Sequence, residues 1–279
     1  MVLFLSYSLI IPEILCKFVL PWQTEKILTY DLEGDFKGEI PLPYFVAKGK
    51  ISPDLSKNEI TVMTFPLKDE RVNVRPIWVQ DTLGNVKHSI ESDPHFVDIP
   101  FDFSNELNSG KSGDELIYAL INASNLPDTL YHYNSATNKL TPKVNIYIKD
   151  LKPNNGDYSK VVWNSIYELP EFYICNVAGT VQTAEGWYQG EQGVDFMVFK
   201  DDLRGGGCTI VNDYLADEKV AAYMFSEGGD EFATILDSDY FLRAIKEAKD
   251  ENVKKRLQEL SKNIDPEGND ILIIGKYKK

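Results

Sequence analysis

This sequence predicts an all-β fold built from repeated four-stranded units, and three observations carry the prediction. First, one hairpin pattern recurs. Tyr30-Asp-Leu-Glu-Gly34-Asp-Phe36 reads as a strand, a tight turn and a second strand, with Gly34 supplying the positive φ and Asp31 bonding its own backbone. Val79-Gln-Asp81-Thr-Leu-Gly84-Asn-Val86 repeats it, Tyr133-Asn134-Ser-Ala-Thr-Asn138 repeats it with Asn for Gly, and Phe199-Lys-Asp-Asp202-Leu-Arg-Gly205 repeats it a fourth time. Second, the segments between these turns are short β-type runs such as Ile60–Phe65, Leu116–Ala123 and Val194–Phe199. Third, the anchors Asp31, Asp81, Asn134 and Asp202 lie roughly 50 to 70 residues apart, the span of one propeller blade. The class is therefore a β-propeller.

Taken in order, residues 1–25 form a first segment whose stretch from Met1 to Trp22 is apolar and broken by Pro12 and Glu13. They lack the basic n-region of an export signal and are too interrupted for a transmembrane helix. They read as strand and loop of an incomplete first blade, or as a mis-assigned start. Residues 26–237 carry the blades, with a loop signal at Lys152-Pro-Asn-Asn-Gly-Asp157. Residues 238–279 change texture. Ser238 or Asp239 is expected to cap a helix carrying Leu242, Ile245, Val253, Leu257, Leu260 and Ile264 at helical spacing, broken in two near Asp250-Glu-Asn252. Asp265-Pro-Glu-Gly268 ends it, and Ile271–Tyr277 returns as the last strand, so the helices form an insertion before the final strand.

Composition excludes some partners. With 43 acidic against 29 basic side chains the net charge is -14, a field that repels a phosphate backbone, so nucleic acid is not expected. Cys16, Cys175 and Cys208 are widely spaced, with no zinc pattern; buried free thiols are the expectation, and a Cys175–Cys208 disulfide the alternative in an exported chain.

The Tyr30–Pro43 hairpin, together with Leu257-Gln-Glu-Leu260, Ile264-Asp-Pro-Glu-Gly-Asn-Asp-Ile271 and Leu-Ile-Ile-Gly-Lys276, resembles the six-bladed β-propeller proteins of Bacteroidota. The resemblance runs from Lys26 to Lys279 and is strongest at those two ends. It implies a cell-envelope protein, often lipid-anchored, with no established reaction to carry over. About four to five blades are present where six are expected, so the resemblance implies that the remaining blades and an export signal lie upstream of this reading frame.

No catalytic residue, metal ligand set or cofactor is assigned from the sequence. His88, His95 and His132 fall in no metal-binding spacing, no nucleophile elbow occurs, and Gly205-Gly-Gly207 lacks the Lys-Ser/Thr and helix of a phosphate loop. The segment that stands out is Gly186-Trp187-Tyr188-Gln189-Gly190-Glu191-Gln192-Gly193, read as an aromatic loop. Trp187 and Tyr188 could stack on sugar faces while Gln189, Glu191 and Gln192 bond hydroxyls; the plainer alternative packs the aromatics on a neighbouring blade, as expected for Trp78 and Trp163. The function read from this is a non-catalytic ligand-binding or scaffold propeller holding a glycan or an envelope protein. The alternative is a metal-dependent hydrolase or lactonase using channel carboxylates drawn from Asp98, Glu168, Asp195 and Glu227.

Overall fold

The computed structural model describes residues 6–11, 14–67, 73–92, 95–97, 106–121, 129–145, 160–183, 186–189, 194–209, 211–212, 218–219, 231–262 and 271–276. They divide into two compact units, Met1–Ser109 with Asp114–Tyr147, and Gly110–Gly113 with Ile148–Lys279.

In the first unit three antiparallel meanders follow one another. β1 (Ser6–Ile11), β2 (Ile14–Val19), β3 (Thr24–Asp31) and β4 (Phe36–Val46) form a sheet in chain order. β5 (Gly49–Asp54), β6 (Glu59–Thr64), β7 (Ile77–Gln80) and β8 (Val86–Ser89) form the second. β9 (Glu106–Ser112), β10 (Glu115–Ile121), β11 (Thr129–Asn134) and β12 (Lys139–Asn145) form the third. These four-stranded meanders are the blades of the propeller class that the sequence predicts.

The second sheet is apolar on both faces, and strand alternation assigns each face a partner. Ile60, Val62 and Trp78 cluster with Phe18, Ile27, Ile40, Leu42 and Val46 of the first sheet. Met63, Ile77 and Val79, with Phe65 just beyond β6, cluster with Leu107, Tyr118, Leu120 and Tyr133 of the third. Val62 pairs with Trp78 and Met63 with Ile77, so the two strands agree on which face is which. Trp78 therefore packs on a neighbouring blade, as expected; the side chain of Trp163 lies outside the described residues.

The recurrent hairpin joins the third and fourth strands of each sheet. The first two copies have the same geometry. Asp31 N–H donates to Asp35 O and Asp81 N–H to Asn85 O, both at 3.0 Å. Each carboxylate accepts the N–H of the same residue, at 2.8 Å from Asp35 and 2.9 Å from Asn85. Gly34 and Gly84 sit at φ +94° and +87°, the left-handed region where glycine carries no steric cost. In the third copy Asn134 Oδ1 accepts Thr137 N–H at 3.0 Å, and Asn138 takes the left-handed position at φ +49°.

These hairpins also lock adjacent blades. Trp78 Nε1–H donates to Gln80 Oε1 at 2.7 Å, and Gln80 Nε2–H donates to the Pro41 carbonyl of β4 at 3.0 Å. One blade further on, Tyr133 O–H donates to Asn138 Oδ1 at 3.1 Å, and Asn138 Nδ2–H to the Ser89 carbonyl of β8 at 3.0 Å. In both cases a side-chain amide from the next blade caps a carbonyl on the preceding blade's fourth strand. Gly84 makes the first approach possible, because a Cβ there would lie 2.7 Å from the Pro41 ring and 2.8 Å from its carbonyl.

In the second unit β13 (Lys160–Glu168), β14 (Phe172–Thr183), β15 (Gly186–Gln189), β16 (Val194–Phe199) and β17 (Gly205–Gly207) form the fourth sheet, with β15 pairing β14 off the main path. Its closing hairpin corrects the sequence reading. Phe199 N–H bonds Arg204 O at 2.9 Å, and the left-handed residue is Leu203 at φ +56°. The turn thus closes on Phe199, Asp202 lies inside it accepting Arg204 N–H at 2.9 Å, and Gly205 already belongs to the strand. A Cβ at Gly205 would come within 2.4 Å of the Met197 carbonyl, so this glycine serves a close backbone approach and not the turn.

β18 (Val211–Asn212) pairs β19 (Glu218–Lys219), and β20 (Glu231–Leu236) pairs β21 (Ile271–Lys276). Between the last two strands lie α1 (Ser238–Glu247) and α2 (Glu251–Ser261), the helical insertion that the sequence predicts. Asp250 breaks it in two, accepting the N–H groups of Asn252 and Val253 as the cap of α2. The cap of α1 falls one residue earlier than expected: Asp237 O accepts Phe241 N–H at 3.1 Å, so Ser238 is already helical. Phe241, Ile245 and Leu257 are buried together, Leu260 is 40% exposed, and Ile264 lies outside the described residues.

Replacing Gln80 with Leu keeps the volume but strands the buried Trp78 N–H. The expected loss is about 1–3 kcal/mol in urea unfolding, and an unchanged midpoint would show that this amide holds nothing together.

Candidate functional site

The candidate segment begins on a strand and not in a loop. Gly186–Gln189 form β15, registered on the far half of β14 as Val181 opposite Tyr188 and Gln182 opposite Trp187. The sequence reads as a loop here, and only the pairing with β14 identifies residues 186–189 as a strand. Glu191 and Gln192 lie outside the described residues.

What the backbone does here is specific. Thr180 pairs with Gln189, and Val177 pairs with Val194. Between those pairs β14 contributes Ala178 and Gly179, whereas the returning chain contributes residues 190–193. The two pairings differ in register by two residues, and the side chains of residues 186–189 lie outside the described residues. Register shifts of this kind are over-represented beside functional sites. No signal in the sequence distinguishes such a break from an ordinary turn.

The other singled-out groups have partners. Glu168, in β13, is buried and accepts from Lys200 Nζ at 2.6 Å, and the same ammonium lies 5.1 Å from the Tyr173 ring centroid. Burial, reinforced by the Glu168 carboxylate, raises the Tyr173 phenol above its usual range. Asp195 Oδ1 accepts Asn176 Nδ2–H across the β14–β16 ladder at 2.7 Å. Asp98 and Glu227 lie outside the described residues. Glu168 thus sits in an ion pair and also accepts from Ser112 Oγ at 3.1 Å, and Asp195 sits in a carboxylate–amide pair.

Among the histidines, His132 Nδ1 lies 2.9 Å from Glu115 Oε2, with Lys143 Nζ 3.5 Å from the same oxygen. The hydrogen bond with His132 is the largest effect and, with lesser help from Lys143, holds the Glu115 carboxyl below its ordinary value of 4.5 against the opposing effect of burial. His95 stacks edge-on against Tyr131 at 5.7 Å, and its burial lowers its pKa. His88 keeps its Nε2 buried without a hydrogen-bond partner among the described residues. Among the described residues no three His, Cys, Asp or Glu side chains converge as a metal-holding group.

Cys175 and Cys208 are free thiols. Cys175 pairs with Phe196 on β16 and Cys208 follows β17, so β16 lies between them. Two strand spacings of about 4.8 Å exceed the roughly 7 Å Cα separation that a disulfide can span. Burial pushes the Cys175 thiol up to about 12 and raises Cys208 as well. The side chain of Cys16 lies outside the described residues.

No protein-family model matches the chain, and no curated protein matches it. Among solved structures it is similar to BBS1N in complex with ARL6DN, at 10% identity and a TM-score of 0.36 over 70% of this chain and 49% of that one. It is also similar to AztD of Citrobacter koseri, at 12% identity and 0.31 over 69% and 49%, and to its apo form at 14% and 0.29 over 69% and 51%. The chain spans about half the length of these structures. No helix among the described residues is long and apolar enough to cross a membrane.

Two measurements follow from the electrostatics. Maleimide labelling with peptide mapping near pH 8 should modify Cys208 well before Cys175, which is fully buried and held neutral; equal rates would contradict that burial. Because Glu115 is depressed in the folded chain, it stabilises the fold above its unfolded value of 4.5, and that contribution disappears as pH falls through the lower folded value. Glu115→Gln should therefore narrow the stability difference between pH 7 and pH 3 in chemical denaturation, and an unaltered difference would exclude the pair as a source of acid sensitivity.

Proposed function

We propose that this chain is a non-catalytic binding or scaffold propeller of a bacterial cell envelope, of the six-bladed Bacteroidota type that its hairpin and C-terminal segment resemble. Its ligand is a glycan or a partner envelope protein, taken at Trp187, Tyr188, Gln189, Glu191 and Gln192. The observation that supports this reading is the two-residue register break between β15 and β16, which falls on the segment richest in aromatic, amide and carboxylate groups together.

The chemistry is that of polyol recognition. An aromatic face covers the apolar C–H side of a pyranose, and amide and carboxylate groups bond its hydroxyls. Repeated blades suit the task because they set variable loops on a rigid frame.

The test is a glycan array probed with the purified chain, followed by titration of any hit with the wild type and with Trp187→Ala. Removal of an aromatic anchor should weaken binding by about thirtyfold or more, the effect of a central contact worth some 2 kcal/mol. Affinity unaffected by Trp187→Ala and Tyr188→Ala would refute the assignment of the site. A stoichiometric divalent metal in the purified protein, lost on substituting carboxylates, would instead move the function to metal-dependent hydrolysis.

A further inference from the structure

The fourth strands differ in how their free edges are treated. β4 carries Pro41 and Pro43, and its Pro41 carbonyl is capped by Gln80. β8 has its Ser89 carbonyl capped by Asn138. β12 carries Pro142. Proline and short strand length are ordinary means of blunting an edge against further strand pairing, and here capping amides occupy edge carbonyls as well. β17 is short but has neither proline nor a capping amide: it is three glycines, all exposed, at the end of its sheet.

Ladder parity identifies which of its backbone groups face outward. Arg204 O accepts Phe199 N–H at 2.9 Å, and Cys208 N–H donates to Asp195 O at 2.8 Å. The even-numbered residues therefore bond β16, and the N–H and C=O groups of Gly205 and Gly207 point away from it. Among the described residues these four outward groups have no hydrogen-bond partner. A Cβ built at Gly206 meets nothing within 4 Å, so the space beside this residue is open among the described residues.

We propose that β17 is a self-association edge, at which a second copy of this chain adds its own β17 antiparallel about a two-fold axis through Gly206. The arrangement is self-complementary. Gly205 of each copy meets Gly207 of the other, which satisfies all four outward groups on each edge, and no side chains clash at the paired positions. The contact is isologous and closes at two copies. With so few bonds the dimer is weak, forming at high micromolar concentration or above. Salt strengthens it, because each copy carries a net charge of -14 and screening reduces their repulsion.

Sedimentation of the full chain from about 10 μM to about 1 mM, in low and high salt, tests this. The weight-average mass should climb from 31.7 kDa toward twice that value, and further at high salt. Gly207→Pro removes an outward donor while sparing the β16 ladder, and Gly206→Lys places two like charges at the axis. Each should weaken the dimer by at least about tenfold. Gly206→Lys fills open space, so it serves as the test should the proline variant fail to fold. A chain that stays monomeric throughout, or a dimer insensitive to both substitutions, overturns the proposal.

Discussion

The first unit depends on burying both faces of its central sheet. An isolated four-stranded meander has one apolar face too many for water. Here Ile60, Val62 and Trp78 on one side, and Met63, Ile77 and Val79 on the other, leave no face of β6 and β7 uncovered. Each such side chain contributes about 1.5–3 kcal/mol when withdrawn from solvent, and the contribution exists only while both neighbouring sheets are in place. Stability is therefore shared between blades, and repetition becomes a structural requirement.

Apolar stacking alone would let blades slide over one another. The polar contacts remove that freedom. Trp78 reaches Gln80 and Gln80 reaches Pro41, while Tyr133 reaches Asn138 and Asn138 reaches Ser89. Different residue types do the same job in successive blades, spanning from the last two strands of one sheet to the outer strand of the sheet before. The buried Tyr118 adds a third tie, donating to the Thr64 carbonyl at 3.0 Å. These directional bonds set the register between sheets, and those to Pro41 and Ser89 also occupy carbonyls of outer strands that would otherwise recruit foreign strands.

Much of the fold was legible because its signals are local. Asp31–Gly34 and Asp81–Gly84 are turn chemistry readable within five residues, and the strands between them have side chains of strand type. The helical insertion was legible for the same reason, down to the break that Asp250 makes. The fourth hairpin was misread because Asp202 followed by Gly205 matches the pattern, while the frame is decided by where β16 ends and by the close approach of Gly205 to Met197. At the candidate site the residue types were legible, but the strand carrying Trp187 and Tyr188 was not, since its partner lies on the same long β14 that also pairs β13 and β16.

By itself the sequence determined an all-β chain of repeated meanders, the turns at Asp31, Asp81 and Asn134, its acidic field and the helices before the last strand. Each follows from local backbone preference or summed charge, which need no knowledge of neighbours. Only the tertiary structure decided which face of β6 meets which sheet, that a glutamine and an asparagine cap the preceding blade's edge, and that the ladder breaks beside Gln189. Those outcomes depend on groups 39 to 54 residues apart being brought within hydrogen-bond distance, or on the register of a long strand against two shorter ones. No local pattern in the sequence encodes either.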